Sequence, residues 1–586
     1  MKKFFKKNIL IILIVLIGIF MRLYLLGVVP ASINWDEASL GYNAYSILKT
    51  GKDEYGSSFP LILRSFDDYK PALYSYLIIP LIPILGLTEI AVRLPSAIAG
   101  IAAIFLTYIL VIKIFGKEIV INNRKIPTKA LAILSSFFLA VSPWHIQFSR
   151  IAFESNVGLT LNLTSLLLFL YGLKRPKLLV LAFILGALNI HMYQSDRVFT
   201  PLMLIAASII YYKDIIKIKK HFIIAAICAV LLALPFVFGI LSDENALLRA
   251  RGVSVFADQT PLLERTVDKL IYDRETNNYL GLILDNRRVE YGKQIISGYI
   301  SHFDLNWLFI TGDIARHHAP NMGLLYLVNL PFLFIGIYQM MFGSISRKTK
   351  ILIFTYFLLV PIPAAVTSGV PHAVRTLNFL PLFQIFIALG LVGTYSAVSS
   401  IKPARHATQG VAGGYEVLSL PAMLRKALRA GIKLKYIIIA LFLGFSVFNF
   451  IYYLNQYFVQ QNYFHSRDWL YGYREAISFV NNIDDDYAKV IVSNEPPLDQ
   501  SYIFFLFYLK VDPSYYQSLG GTATGGFEEK HEGFYNYTFG PIGDADSYPV
   551  DTLFVGRKDD TADTPLRVLK KINYPDGENA IVIADK

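Results

Sequence analysis

Two adjacent carboxylates, Asp36 and Glu37, follow closely after the first hydrophobic segment of the chain. Charged side chains near a lipid boundary cost free energy, so such acids are generally retained for a function. A carboxylate at this position could act as a general base on an incoming hydroxyl group. Lys70 lies further along the same predicted loop and could neutralise an anionic phosphate. The bland alternative is that the acids only cap the helix predicted over residues 38–48.

The composition indicates an integral membrane protein. The chain has 586 residues, 54% of them hydrophobic, and a mean hydropathy of +0.46. The first long apolar run, 9–26, lacks a small-residue cleavage site and is therefore predicted to be an anchor. The net charge of +12 does not indicate nucleic-acid binding, because the basic residues cluster in short connectors, as cytoplasmic membrane loops do. The single cysteine, Cys228, excludes an intrachain disulfide.

The Lys and Arg distribution predicts a multi-pass protein of the cell membrane with a cytoplasmic amino terminus. The expected spans number about eleven: 9–26, 91–115, 130–141, 157–173, 178–191, 199–212, 222–241, 324–342, 351–367, 377–398 and 436–454. The run 72–87 contains Pro80 and Pro83 and is predicted to lie along the interface, since this keeps every basic connector on one side. The alternative is that 72–87 also crosses. External loops are expected at 27–90 and 242–320, with shorter external turns at 142–150, 193–197 and 369–375.

Residues 455–586 have a different character. Short β-rich runs at 489–492, 552–555 and 580–583 alternate with helical or turn-rich pieces, which predicts a small α/β domain outside the membrane. The predicted fold class is therefore a polytopic α-helical membrane protein, with a catalytic module over 1–454 and an extracytoplasmic α/β domain over 455–586. The sequence contains no P-loop and no glycine-rich nucleotide motif.

The remaining candidate site residues all lie in the predicted external loops, whereas the interiors of the spans are nearly free of ionisable groups. A transporter would more often carry such groups at mid-membrane, so the pattern favours a site at the outer interface. Arg150, His372 and Arg375 are candidates for the phosphate of a lipid-linked substrate. Candidates for acceptor or donor contact are Asp68, His145, Arg197, Asp304, Asp313, Arg316 and His317.

Several of these residues have structural alternatives. Arg150 and His145 could only anchor a turn beside Trp144, and Arg197 could form a local ion pair with Asp196. His317 and His318 are adjacent, a poor spacing for two ligands of one ion, so no metal site is predicted there. No cofactor is predicted with certainty, and a divalent metal requirement stays open.

Three segments in order carry a resemblance: Trp35–Ala38, Phe66–Tyr74 with its Lys-Pro-x-Leu-Tyr pattern, and Arg93–Ser96. Together they resemble the start of GT-C glycosyltransferases. The best match is the family-39 branch that contains protein O-mannosyltransferases and aminoarabinose lipid A transferases, in an uncharacterised bacterial subgroup. Residues 142–145, 301–304 and 312–317 resemble later segments of such relatives.

The resemblance implies an inverting glycosyltransferase that moves a sugar from a polyprenyl-phosphate donor on the extracytoplasmic side. Asp36 would be its base, Lys70 would lie near the donor phosphate, and 72–87 would be an interfacial helix. Glu37 would share in catalysis, orient Asp36 or bind the acceptor. The sugar stays open, as does the acceptor, which could be a protein, a lipid or a glycan. The alternatives are a transporter or flippase, or a polymerase or ligase, of lipid-linked saccharides.

Overall fold

A computed structural model describes residues 2–66, 68–242, 252–257, 260–400, 434–524, 530–531, 533–561 and 566–586. Within these ranges the first half of the chain is mainly helical. Its helices are α1 (Lys2–Leu23), α2 (Trp35–Thr50), α3 (Leu73–Ile78), α4 (Ile82–Leu85), α5 (Glu89–Phe115), α6 (Thr128–Ala140), α7 (Pro143–Ser149), α8 (Glu154–Gly172), α9 (Pro176–Asn189), α10 (Asp196–Ile210), α11 (Tyr212–Ile216) and α12 (Lys219–Ser242).

The second half of the chain continues the helical array before it turns to mixed structure. Its helices are α13 (Thr260–Glu275), α14 (Tyr279–Leu284), α15 (Arg287–Ser301), α16 (Leu330–Phe342), α17 (Arg347–Leu359), α18 (Ile362–Ala365), α19 (Leu382–Ser400), α20 (Leu434–Asn455), α21 (Gln461–Phe464), α22 (Tyr473–Val480), α23 (Ser501–Tyr508) and α24 (Pro513–Ser518).

Each of the eleven apolar segments predicted to span the membrane overlaps mainly one helix or, for 351–367, the two helices α17 and α18. By length and composition, five described helices could cross a bilayer, or six if the bent pair α6–α7 counts as one span. α6 and α7 meet at 58°, just where Pro143 removes a backbone donor. In the apolar windows of α12 and α20 only 6% and 11% of residues are buried, as expected for helices that face lipid. The number of crossings stays a prediction.

The run 72–87 is not one continuous helix. It consists of α3, a single 3₁₀ turn at Ile79–Leu81 and α4, with Pro80 and Pro83 as the second residues of the last two pieces. Proline favours the first turn of a helix and disrupts the interior, which explains the breaks. Its predicted position along the interface stays a prediction.

Four strands before α6 form two small hairpins. β1 (Ile62–Ser65) pairs antiparallel with β2 (Asp68–Pro71), and β3 (Glu118–Ile121) pairs antiparallel with β4 (Arg124–Pro127). The first hairpin lies in the predicted external loop that follows α2, and it carries Lys70 opposite Leu63.

A mixed five-stranded sheet follows α22, as the alternation of strand-like and helical runs predicts. The described strands here are β5 (Lys489–Val492), β6 (Thr522–Thr524), β7 (Lys530–His531), β8 (Tyr537–Phe539), β9 (Thr552–Gly556), β10 (Arg567–Asn573) and β11 (Asn579–Asp585). The sheet order is β10-β11-β9-β5-β8, with β5 parallel to both β8 and β9. All three predicted β-rich runs are strands of this sheet, whereas β6 and β7 form a separate pair.

The core of this carboxy-terminal region also includes α2. Tyr42 and Ala44 of α2 belong to the same buried apolar cluster as Phe507 of α23 and Val490 of β5. The approach is close, because a Cβ atom built on Gly41 would lie 2.6 Å from Phe507. Polar contacts seal the same interface, where the Gln517 amide donates to Ser46, Thr50 and the Asp53 carbonyl. The division of the chain at residue 455 into two domains stays a prediction.

Candidate active site

α2 begins with a capping box that fixes the position of the two acids. The Asn34 side chain accepts from the Glu37 backbone N–H at 2.9 Å, and the Glu37 carboxylate accepts from the Asn34 N–H at 3.3 Å. This reciprocal pair satisfies two N–H groups that helix formation leaves without partners. The side chain of Asp36, one residue before Glu37, therefore projects from a first helical turn that the capping box holds rigid.

The carboxylate of Glu37 is buried, and both of its oxygens are engaged in hydrogen bonds. Its side chain is 1% exposed, and Arg93 on α5 donates to both carboxylate oxygens at 2.9 and 3.0 Å. The Ala152 N–H donates to the same carboxylate at 3.1 Å. The other Arg93 donors hold the carbonyls of residues 26, 30 and 32. The carboxylate of Glu37 thus organises the loop around Asp36, and the structure leaves it no position from which to accept a substrate proton.

Asp36 and Lys70 form an ion pair across the predicted external loop. The Asp36 side chain is 43% exposed and that of Lys70 is 11% exposed, so the carboxylate faces solvent while the ammonium group is held by protein. The β1–β2 hairpin supplies Lys70, and its neighbouring strand residue Tyr69 accepts from the Gln194 amide at 3.3 Å. The two side chains are thus in contact, and their shared role in a functional site stays a prediction.

The ion pair lies in a cavity of about 180 Å³. The lining mixes polar and apolar groups and comes from α2, β2, the turn before α8 and its first residue, the loop after α9 and two later loops. Its ionisable lining residues are Asp36, Glu37, Lys70, Glu154, Tyr193, Arg316, His317 and His372. Glu154 is the first residue of α8 and precedes the predicted span 157–173. Burial raises the pKa of Glu154 to about 7, although Lys70 acts to lower it.

One wall of the cavity contains a cluster of Asp313, His317 and His372. Nδ1 of His317 lies 3.1 Å from the Asp313 carboxylate, which also accepts from the Ala373 N–H. Burial acts to raise the pKa of Asp313, but the hydrogen bond from His317 prevails and holds it at about 2. Burial lowers the pKa of His372 to about 2, with a further contribution from the Arg375 charge. The cluster therefore presents a carboxylate and a neutral imidazole at neutral pH.

Two predicted arginines lie beside this wall. The Arg316 guanidinium is stacked 5.2 Å from the ring centre of Trp35, which connects the turn Ala315–His317 to the start of α2. Arg375 donates to Thr367 and to the Ser368 carbonyl, and its charge reaches His372 and Tyr193 of the cavity. Positive charge thus surrounds the cavity from three separate segments.

Other predicted site residues lie elsewhere. Arg150 is fully buried and donates to the carbonyls of Met21, Leu25 and Val29 and to the Tyr457 hydroxyl, so it anchors the end of α1. His145 is also fully buried, with Nδ1 at 2.6 Å from Arg22. The expected turn-anchoring alternative therefore describes both residues better than phosphate contact does.

Arg197, Asp68 and Asp304 are likewise outside the cavity lining. The Arg197 guanidinium lies 4.1 Å from the ring centre of Phe236, and the expected local ion pair with Asp196 is wrong. Asp196 instead accepts from Asn162 and Asn378, both at 2.8 Å. Asp68 begins β2 opposite Ser65, and the Asp304 carboxylate accepts from the Asn306 N–H at 2.9 Å.

Four residues that the fold brings to the site were not among the predicted site residues. Glu154 lines the cavity and adds a third carboxylate beside those of Asp36 and Glu37. Tyr193 and Gln194 line the cavity from the loop after α9. Arg93 was part of the Arg-Leu-Pro-Ser motif, but its partner Glu37 lies 56 positions away. No local sequence pattern predicts such a pair, although the arginine inside the Arg-Leu-Pro-Ser motif was a signal from which a role for Arg93 could have been inferred.

No protein-family model and no curated protein matches this chain. Among solved structures, it is similar to the crystal structure of ArnT from Cupriavidus metallidurans bound to undecaprenyl phosphate. The TM-score is 0.51 with 11% sequence identity, over 99% of this chain and 98% of that chain. The apo structure of the same protein gives a TM-score of 0.48 with 11% identity, over 99% and 97% of the two chains.

The similarity to the first ArnT structure confirms the predicted fold class, a polytopic membrane protein of the GT-C type with a sheet in its carboxy-terminal region. At this level of identity the comparison concerns the fold alone. The predicted assignment to family 39 and to a bacterial subgroup stays a prediction.

Proposed function

We propose that this chain is an inverting glycosyltransferase, which moves a sugar from a polyprenyl-phosphate donor to an acceptor hydroxyl on the extracytoplasmic face of the cell membrane. The observation that carries the proposal is the Asp36–Lys70 pair in a small, partly polar cavity of a GT-C fold. Undecaprenyl phosphate is the ligand named for the ArnT structure that shares this fold, which supports a polyprenyl phosphate here.

Asp36 is assigned the role of general base. Its carboxylate is the more exposed member of the pair, and it projects from a helix start that the capping box holds rigid. A base must reach the proton that it abstracts, and a partly exposed carboxylate at the edge of a cavity meets this condition. The oxygen it deprotonates would attack the anomeric carbon in one displacement, which inverts the configuration there.

Lys70 is assigned to the donor phosphate. The C–O bond from sugar to phosphate breaks as the acceptor attacks, and negative charge accumulates on the departing polyprenyl phosphate. Lys70 and Arg316 line the cavity, and Arg375 lies beside it, so fixed positive charge would stabilise that leaving group. The phosphate would compete with Asp36 for Lys70 and so release the carboxylate to act as base.

Glu37 and Arg93 are assigned positioning roles. The bidentate ion pair between them is buried, and Arg93 also donates hydrogen bonds to carbonyls of the loop that precedes α2. A change at either residue would displace Asp36 without removing a group that touches substrate. Glu154, Tyr193 and Gln194 are available for the sugar or the acceptor, because they line the same cavity opposite α2.

The test is direct transfer by the purified full-length chain in lipid nanodiscs. A panel of polyprenyl-phosphate sugars is supplied with acceptor extracts, and release of polyprenyl phosphate is measured. We expect release from at least one donor with the wild type and none above background with Asp36→Asn. Transfer at the wild-type rate by Asp36→Asn would refute the base assignment. Donor movement across the bilayer without a new glycosidic bond would instead support a flippase.

A second experiment addresses orientation. Reporter fusions after residues 60 and 510 should report an extracytoplasmic position for both, because the α2 region and α23 share one core. A cytoplasmic report for either site would contradict the proposed location of the reaction.

A further inference from the structure

The cluster of Asp313, His317 and His372 has features that the proposed acid–base and phosphate chemistry does not use. One potential ligand atom on each side chain lies within 4.8 Å of the others. The residues come from the turn after Trp307–Thr311, from the adjacent 3₁₀ turn and from the loop before α19. Three nitrogen or oxygen ligands that converge from separate segments meet the first requirement of a metal site.

The one short separation in the cluster is compatible with a shared ion as well as with a hydrogen bond. Two ligands on a tetrahedral ion with bonds of 2.0–2.1 Å are about 3.3 Å apart. Nδ1 of His317 and the carboxylate of Asp313 are 3.1 Å apart, close to this value. His372 adds an unsatisfied group, since its Nδ1 is buried with no hydrogen-bond partner among the described residues. Buried polar atoms without partners are rare in folded proteins and point to a missing ligand.

His318, which is adjacent to His317 in the sequence, is engaged by backbone carbonyls and not by the cluster. Nδ1 of His318 is directed to the carbonyls of Ala319 and Met322, at 2.8 and 3.0 Å, and so away from the cluster. The adjacent pair His317–His318 is therefore not a pair of ligands, as the spacing argument predicted. The third ligand, His372, lies 55 positions beyond His317, and only the fold brings it there.

We infer that Asp313, His317 and His372 bind one Zn²⁺ ion, with a coordination position open to the cavity that contains Asp36 and Lys70. Two imidazoles and one carboxylate as protein ligands, with a fourth position left open, are typical of catalytic rather than structural zinc. His317 and His372 both line the cavity, so the open position faces it. A bound ion would act as a Lewis acid toward a phosphoryl oxygen. That use of the ion rests on the proposed function, whereas the binding does not.

Metal content of the purified full-length chain tests the site without any donor or acceptor. Protein in nanodiscs is treated with chelator, given one equivalent of Zn²⁺, desalted and analysed for metal. We expect about one ion per chain in the wild type and in the control His318→Gln, and under about one-tenth of an ion in His372→Leu and Asp313→Asn. Loss of a ligand should cost more than the roughly 10- to 100-fold affinity typical for loss of an outer hydrogen-bond partner.

A second measurement needs no variant and remains decisive if the ligand variants fail to fold. Co²⁺ replaces Zn²⁺ in the wild type, and visible absorption reports its coordination. We expect the intense bands of a four- or five-coordinate Co²⁺ ion. No bands above those of free Co²⁺, or equal zinc content in His372→Leu and wild type, would overturn the assignment. Binding of Mg²⁺ in preference to Zn²⁺ would overturn the choice of ion.

These outcomes are separable from the proposed function. If the chain binds no zinc but releases polyprenyl phosphate in an Asp36-dependent reaction, the metal inference fails and the glycosyltransferase proposal stands. If it binds zinc through His372 but transfers no sugar, the converse holds.

Discussion

Replacing Asp36 with Asn keeps the size of the side chain and removes its ability to take a proton. The Asp36 side chain is 43% exposed, so its pair with Lys70 is partly screened by solvent. Such pairs contribute about 0–1 kcal/mol to stability. A general base contributes about 10²- to 10⁴-fold to a rate, which is roughly 3–5 kcal/mol of barrier. We therefore expect Asp36→Asn to lower the rate of transfer strongly and the stability of the protein very little.

The assay compares kcat with thermal unfolding in the same nanodisc preparation. Asp214→Asn is the matched control, because Asp214 also pairs with a lysine, Lys348, at 3.1 Å and is 35% exposed, but lies far along the chain in a predicted cytoplasmic connector. We expect both variants to unfold within a few degrees of wild type, and only Asp36→Asn to lose activity. Equal activity losses in the two variants, or a loss in Asp36→Asn that follows a large drop in Tm, would refute the reasoning.

Three further predictions concern buried polar groups. Glu37→Gln leaves Arg93 with a buried charge and no counter-ion, so the free energy of unfolding should fall by about 3–5 kcal/mol in denaturant titrations; a loss below 1 kcal/mol would contradict this. Arg150→Met should lower Tm yet leave the affinity for undecaprenyl phosphate unchanged in a binding titration, since Arg150 anchors α1 rather than substrate. Burial raises the pKa of Glu54 from 4.5 to about 7, so this residue favours the fold fully below pH 4.5 and progressively less as pH rises through 7. Glu54→Gln should flatten the dependence of Tm on pH across that window, and a profile that matches wild type would refute the assignment.

The apolar helices and the carboxy-terminal strands were predictable because their signals are local. Spans such as Glu89–Phe115 are continuous apolar runs, and β5, β9 and β11 are rich in β-branched residues. β8 and β10 were missed, since the first is three residues long and the second carries an arginine and two lysines. Short or charged strands acquire their state from neighbours in the sheet rather than from their own sequence.

Some features of the candidate site could likewise be predicted from the sequence, and others could not. Asp36 and Lys70 belong to one predicted external loop and to two neighbouring segments of the resemblance, so their proximity could be expected from the sequence. The roles of Glu37 and Arg150 could not, because a carboxylate or guanidinium in the sequence reveals nothing about which buried carbonyls or charges it will meet. Glu37 is occupied by Arg93, and Arg150 by three carbonyls of the α1 end. The cluster at His372 depends on loops that are adjacent only in the folded protein.

The packing of α2 against α23 has a consequence for biosynthesis. The helix that carries Asp36 is translated more than 400 residues before α23, yet its buried face rests on Phe507 and its polar edge on Gln517. Until residues 501–518 have been translated, the face of α2 that packs on α23 lacks this partner. Chains that stop short of this region would therefore lack part of the packing that holds the helix carrying Asp36.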